Sequence, residues 1–261
     1  MKIKQKLHEF FWSPISSKEK IEVYQEQIRK MEWDAIKSYI PLNSSFLDVG
    51  CGAGYSLMKA HQDCACMVQG VDPAPGEHGV GRFTEDLWRE RPIIQASAEE
   101  LPFPDNSFDV VYSSHVLEHV HSESKALEEM KRVLKPNGVL ILGMPTAAMS
   151  LVALFSTWFL TTHISMYHFV RSIGRKEMFG RFVRVFIPTS HSYPRAKYIW
   201  YDIFHYRISN WKNTVSKHFQ IQQKITPGLY PYPDFIQWFP IMKIGKLSSS
   251  VFLICNHPSN V

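Results

Sequence analysis

Cysteine is scarce in this chain: Cys51, Cys64, Cys66 and Cys255 are the four in 261 residues. They are too few and too irregularly spaced for a disulfide framework, and Cys64-x-Cys66 lacks the second pair that a zinc site needs. Reduced thiols are expected. The N-terminal MKIKQKLHEFFW is basic, but it includes Glu9 and has no apolar run, so it does not read as an ordinary secretory signal. A cytoplasmic protein is expected, with the membrane surface as a further location. No internal repeat is visible. Apolar residues make up 45% and charged residues 20%, near the average of globular chains, which argues against a disordered chain or one with many membrane spans.

Acidic residues are missing where basic ones gather. Residues 144–220 hold ten Lys and Arg against two Asp and Glu, whereas residues 1–143 hold 16 against 21, so the overall charge of +5 hides a strong asymmetry. From Val139 to Val170 there is no charged residue at all, yet Pro145 breaks that run. The remaining Thr146–Thr162 is at the bottom of the length range for a spanning helix, about 17 residues. A buried or interfacial helix is the expectation there.

What the chain does have is alternation. Ser17–Tyr39 reads as an amphipathic helix, with Ile21, Tyr24, Ile28, Met31, Ala35 and Tyr39 at three- and four-residue spacing before Pro41. Short apolar runs then alternate with helical stretches: Phe46–Val49, Met67–Val71, Pro92–Gln95, Val110–Ser113 and Val139–Leu142. This pattern predicts an α/β fold, a doubly wound and mostly parallel sheet covered on both faces. A helix over Ser122–Leu134 is closed by KPNG at 135–138. Gln220–Ile225 and Ser250–Cys255 read as two further strands, an antiparallel edge pair. Three regions follow: a leading helix and core over 1–143, a helical insertion over 144–219 and closing strands over 220–261.

The first strand ends in Asp48 and leads into Gly50-Cys51-Gly52-Ala53-Gly54. Such a loop lies at the carboxyl edge of the sheet, where open α/β sheets bind ligands and where glycine lets backbone approach them. A dinucleotide fingerprint would want glycine at position 55, and Tyr55 stands there. Asp72, before Pro73 at the end of the second strand, is placed to accept ribose hydroxyls or to cap a turn. Ser97-Ala98-Glu99 and the apolar residues after it offer walls for an adenine. Together these stations outline a nucleoside pocket.

DVGCGAG, VDPAP, SAEELPFPDNSFDVVYSSHVLEHV and EEMKRVLKPNGVLIL resemble, in order and spacing, the class I S-adenosylmethionine-dependent methyltransferases. The likeness is to the subgroup that includes quinone-biosynthesis C-methyltransferases, and it covers roughly residues 43–145. It implies a seven-stranded Rossmann-like sheet and S-adenosyl-L-methionine as cofactor. It also implies Gly50, Cys51, Gly52 and Gly54 at the methionine end and Asp48 supporting the loop or the amino group. Asp72 with Pro73 would lie at the ribose, Ser97, Ala98 and Glu99 at the adenine, and Ser114 and His115 beside the cofactor. The family often has aspartate where Ser97 stands.

His115-Val116-Leu117-Glu118-His119 follows the fourth strand and has three open readings: a general base at His115 or His119, a metal-ligand set resembling the E-x-x-E-H of some quinone O-methyltransferases, or a structural element. The metal reading is weakened because His115 replaces the first glutamate, and no metal is assigned. His191 is a second base candidate, ahead of a helix in which Tyr198, Tyr201 and Phe204 are expected to form one aromatic face. The insertion, apolar and then cationic, would choose the substrate and suits a small or lipid-linked acceptor or an anionic membrane surface. A lid that buries its own aromatics is the plainer reading. Two other functions remain open: a non-catalytic protein docking on membrane or on a partner enzyme, and an RNA methyltransferase, the latter disfavoured because no RNA-binding module is recognisable.

Overall fold

The computed structural model describes residues 18–77, 93–156, 166, 168–174, 176, 178–179, 182–183, 190, 192, 198–230 and 241–258. The leading helix α1 (Lys18–Ile36) runs into a 3-10 turn at Lys37–Tyr39 before Pro41. Its buried face is Tyr24, Ile28, Glu32, Trp33 and Ile36, while Met31, Ala35 and Tyr39 are half-buried. The stripe is thus turned from the apolar spacing toward Glu32, because Trp33 packs edge-on against Phe46 and Tyr112 of the sheet.

The strands are β1 (Ser45–Val49), β2 (Met67–Asp72), β3 (Ile94–Gln95), β4 (Phe108–Ser114), β5 (Leu134–Pro145), β6 (Gln220–Ile225) and β7 (Ser250–Asn256). They form one seven-stranded sheet in the order β3-β2-β1-β4-β5-β7-β6. The first five are parallel, and β7 runs antiparallel to both β5 and β6. The remaining helices are α2 (Tyr55–Cys64), α3 (Glu123–Val133), α4 (Ala147–Ser156), α5 (Ile199–His205) and α6 (Ile208–Val215).

Strand alternation divides the core between the two faces. Leu47, Val49 and Val111 share one cluster with Ala126, Leu127 and Met130 of α3, and Phe46, Val110 and Tyr112 share the other with Trp33, Ile36, Leu57 and Ala60. Asp48 follows the parity of Phe46, so it belongs to the face that α1 covers.

One expectation holds and another changes in detail. β6 and β7 form the expected antiparallel pair at the sheet edge, with β6 outermost and β7, buried from Ser250 to Cys255, one place further in. The uninterrupted VFLIC is the mark of a central strand. KPNG does not separate α3 from the fifth strand, since β5 opens at Leu134 and the register jumps from Phe108↔Leu134 to Val110↔Val139, so Lys135–Gly138 arch out of the pairing. Gly138 is needed there, because a Cβ would stand 2.9 Å from the Asp109 carbonyl oxygen. Around α5, Ile199, Asp202 and Tyr206 are buried, Tyr198 and Tyr201 are half-buried, and Phe204 is 60% exposed beneath the Arg207 guanidinium.

The chain leaves the sheet after β5 as α4, which buries Met149 and Leu154 and exposes Leu151 and Phe155. It re-enters the main core through Tyr206, Trp211, Val215 and Phe219, and the Trp211 indole donates to the Pro145 carbonyl at 2.8 Å. Among the described residues no helix is long and apolar enough to cross a membrane.

Candidate active site

The carboxyl ends of β1, β2, β4 and β5 lie side by side, and the start of β7 joins them through the Pro145↔Ser250 pair. After β1 the backbone turns through three left-handed glycines, Gly50 (φ +77°), Gly52 (φ +51°) and Gly54 (φ +84°). A side chain costs energy in this region, which accounts for glycine at every second place. At Gly50 the packing adds to the demand, since a Cβ would stand 2.2 Å from Val116 Cγ2. The Gly50 and Cys51 amides both donate to the Val71 carbonyl at 2.8 and 3.1 Å, which pins the loop to β2. The Cys51 side chain turns into the core, where Gly70 makes room for its sulfur, and burial pushes its thiol far above the ordinary range.

Asp72 closes β2 in a buried position. One carboxylate oxygen accepts from the Gly52 amide and the other from the Ala74 amide, both at 2.8 Å. It therefore joins the first loop to the second, and each oxygen keeps a lone pair for a further donor. Pro73 beside it is exposed. Asp48 is buried and accepts from the Ser56 hydroxyl. Burial, with the Asp72 charge adding to it, pushes its carboxyl up to about 7 against the lowering effect of Ser56.

At the third station Ala98 is buried and Ser97 is exposed. Ser97 Oγ accepts from the Glu99 amide at 3.2 Å, and the Glu99 carboxylate turns to the Ser122 amide at 2.8 Å. Both side chains thus brace the local chain, leaving Ala98 as the wall of this station. Behind it, Arg132 of α3 donates to the Leu101 and Phe103 carbonyls at 2.9 and 2.7 Å and to Asp105 at 2.9 Å.

The fourth station is built around His115. It has φ +57°, a left-handed conformation rare for a side chain of this size, and its amide donates to the Gly143 carbonyl at 2.8 Å. Its Nδ1 is 3.4 Å from Glu118 Oε1, and its Nε2 is 3.6 Å from Glu32 Oε1. Glu32 and Glu118 are each 1% exposed. Burial opposes the imidazolium, but the Glu118 and Glu32 carboxylates outweigh it and raise the His115 pKa above its ordinary value. Glu32 also receives Arg29 Nη1 at 2.8 Å and the Tyr230 hydroxyl at 2.5 Å. Burial resists that charge too, yet Arg29 beside it holds the Glu32 carboxyl well below the usual range.

Of the base candidates, only His115 is set into this cluster. His119 is exposed, and His191 lies outside the described residues. Ser114 Oγ is buried and has no hydrogen-bond partner. Among the described residues no group of three or more His, Cys, Asp or Glu side chains could hold a metal ion. Arg29, Glu32 and Tyr230 escaped the reading of the sequence. The available signal was Glu32 itself, a charge four residues from both Ile28 and Ile36 on the apolar stripe.

Residues 47–142 match a family model described as a methyltransferase domain. An uncharacterized methyltransferase of Mycolicibacterium gilvum is 39% identical over 111 residues, 42% of this chain and 42% of that protein. A sterol 4-C-methyltransferase of Caenorhabditis elegans is 35% identical over 102 residues, 38% of this chain and 30% of that one. The match thus spans less than half the length of these relatives. Among solved structures, a Thermotoga maritima protein described as a SAM-dependent methyltransferase, possible histamine N-methyltransferase, superposes with TM-score 0.53 at 18% identity, over 91% of this chain and 93% of that one. That likeness concerns the fold.

Proposed function

We propose that this chain is an S-adenosylmethionine-dependent methyltransferase acting on a small or lipid-linked acceptor, residues 47–142 being the stretch that matches a methyltransferase-domain model. The observation that carries the reading is the union of the left-handed Gly50–Gly54 loop with the buried Asp72 carboxylate at one sheet edge. The residues fit S-adenosylmethionine. The glycines leave backbone without side chains at the loop, Asp72 keeps acceptor capacity for ribose hydroxyls, and Ala98 offers an apolar wall to the adenine. When bound, the cofactor supplies a methyl group already activated on a sulfonium. The chain has to hold the acceptor in line and exclude water, and positioning of that kind is worth ~7–11 kcal/mol of barrier.

Calorimetry with S-adenosylhomocysteine tests the reading. Micromolar binding is expected for the wild type, with Asp72→Ala weakening it about tenfold or more, on the order of the 1.5–3 kcal/mol of hydrogen bonds to a charged group. Failure of the folded protein to bind would end the enzyme reading. The lipid-linked acceptor draws support from the insertion, where Phe155, Ile173, Phe179 and Phe204 are 56–75% exposed in a region rich in Lys and Arg. The same surface supports a second reading, a non-catalytic protein docked on anionic membrane. Flotation with phosphatidylserine vesicles and no methyl transfer to any acceptor would favour it, whereas steeply salt-dependent RNA binding would favour an RNA substrate.

A further inference from the structure

The cofactor stations leave unused a cluster around His115 and Glu32 that is drawn from three parts of the chain. Arg29 and Glu32 come from α1, Glu118 from the loop after β4, and Tyr230 from the segment between β6 and β7. Tyr112 and Tyr206 are buried in the core, while the His115 side chain keeps 12% of its surface exposed. Each Glu32 oxygen already accepts one hydrogen bond, from Arg29 or from the Tyr230 hydroxyl. His115 Nε2, 3.6 Å from Glu32, is beyond hydrogen-bond reach, and it is buried without a hydrogen-bond partner. Buried polar atoms are rarely left so, and a strained backbone under the same residue is a second mark of function.

We infer that His115 is the group that takes a proton from a hydroxyl-bearing acceptor, with Glu118 and Glu32 as positioning residues that orient its ring and stabilise the imidazolium it becomes. This inference rests on the methyl-transfer reading and narrows its substrate to an acceptor with an O–H to surrender. The O–H proton passes to Nε2, and the electron pair left on oxygen forms the bond to the incoming methyl. The pair of the broken S–CH3 bond stays on sulfur, which becomes a neutral thioether. A neutral amine or thioether attacks with a free lone pair and has no need of such a group, whereas a hydroxyl is a poor nucleophile until its proton leaves. Glu118 at Nδ1 and Glu32 beyond Nε2 would balance the positive charge as it forms, and Arg29 restrains the total.

NMR titration of the full chain bound to S-adenosylhomocysteine, with His115 assigned through His115→Gln, reads the ring directly. Its midpoint is expected above the ordinary histidine range, and both Glu118→Gln and Glu32→Gln should lower it by about one pH unit, a tenfold change in proton affinity. Calorimetric affinity for S-adenosylhomocysteine should stay within about twofold, since neither glutamate belongs to the loops that hold the nucleoside. In methyl-transfer assays with S-adenosylmethionine and a panel of phenols, alcohols, tertiary amines and thioethers, a hydroxyl compound should be methylated. Its rate should rise with pH through the imidazole midpoint and shift to lower pH in Glu118→Gln. Should Glu32→Gln not fold, Glu118→Gln alone decides. An unmoved midpoint overturns the inference, as does product from tertiary amines or thioethers alone, or no methylated hydroxyl compound from protein that binds S-adenosylhomocysteine. Absence of S-adenosylhomocysteine binding overturns the methyl-transfer reading itself.

Discussion

Asp48 shows how far a single residue's chemistry depends on its neighbours. Its place before the glycines is plain in the sequence, but its burial beneath α1 and beside Asp72 is not. Because its carboxyl is pushed up to about 7, above the ordinary unfolded value, its contribution to stability is fully present below about pH 4 and is lost as pH rises through about 7. Asp48→Asn should therefore be more stable than the wild type at pH 8, by on the order of 2–4 kcal/mol, and should lose that advantage at pH 4. Urea unfolding at the two pH values measures both; equal differences would show that Asp48 does not titrate in this range. The three glycines were legible as a set because only a left-handed backbone needs them at such spacing, and Asp72 was legible because it closes a strand. Glu32 was not, since a charge within an apolar stripe looks like a break in the pattern until Arg29, Tyr230 and His115 are seen around it.

At the scale of elements, α3 was readable almost to the residue. Ser122 caps it, accepting from the Lys125 amide at 3.3 Å, and its buried residues Ala126, Leu127, Met130 and Val133 keep helical spacing. Its last turn does more than end the helix, since the Arg132 guanidinium holds the Leu101, Phe103 and Asp105 stretch in place and pairs with Glu129. Removing it frees two carbonyls and two carboxylates in the stretch that follows Ala98. Arg132→Ala should cost about 1.5–3 kcal/mol of stability by thermal or chemical unfolding and should weaken S-adenosylhomocysteine binding as well. Stability loss without any change in binding would separate this loop from the nucleoside site. The guanidinium bonds could not be read from the chain order, because they span about thirty residues.

On the scale of the whole molecule, segments far apart in the chain meet at the site. The Tyr230 hydroxyl donates to Glu32 across 198 positions of sequence, and α1 is further tied down by the Trp33 indole donating to Asp63 at 2.8 Å. α1 is thus a wall of the candidate site as well as a cover for the sheet. Glu32→Ala would leave the half-buried Arg29 guanidinium and the buried Tyr230 hydroxyl without their acceptor, so a loss of about 1–3 kcal/mol is expected, still as one cooperative transition. A separate early melting of α1, seen by hydrogen exchange, would instead show that the helix is an independent unit.

By itself, the sequence determined the alternating strands and helices, the left-handed glycine loop, the carboxylate at the end of the second strand and the basic bias of the insertion, because each is a matter of local periodicity, backbone freedom or charge count. Only the tertiary structure decided that β7 is central, that the insertion returns to the main core, and that His115 stands between two buried carboxylates. Those features depend on contacts between residues far apart in the chain, where packing and the loss of solvent, rather than local preference, set both position and charge.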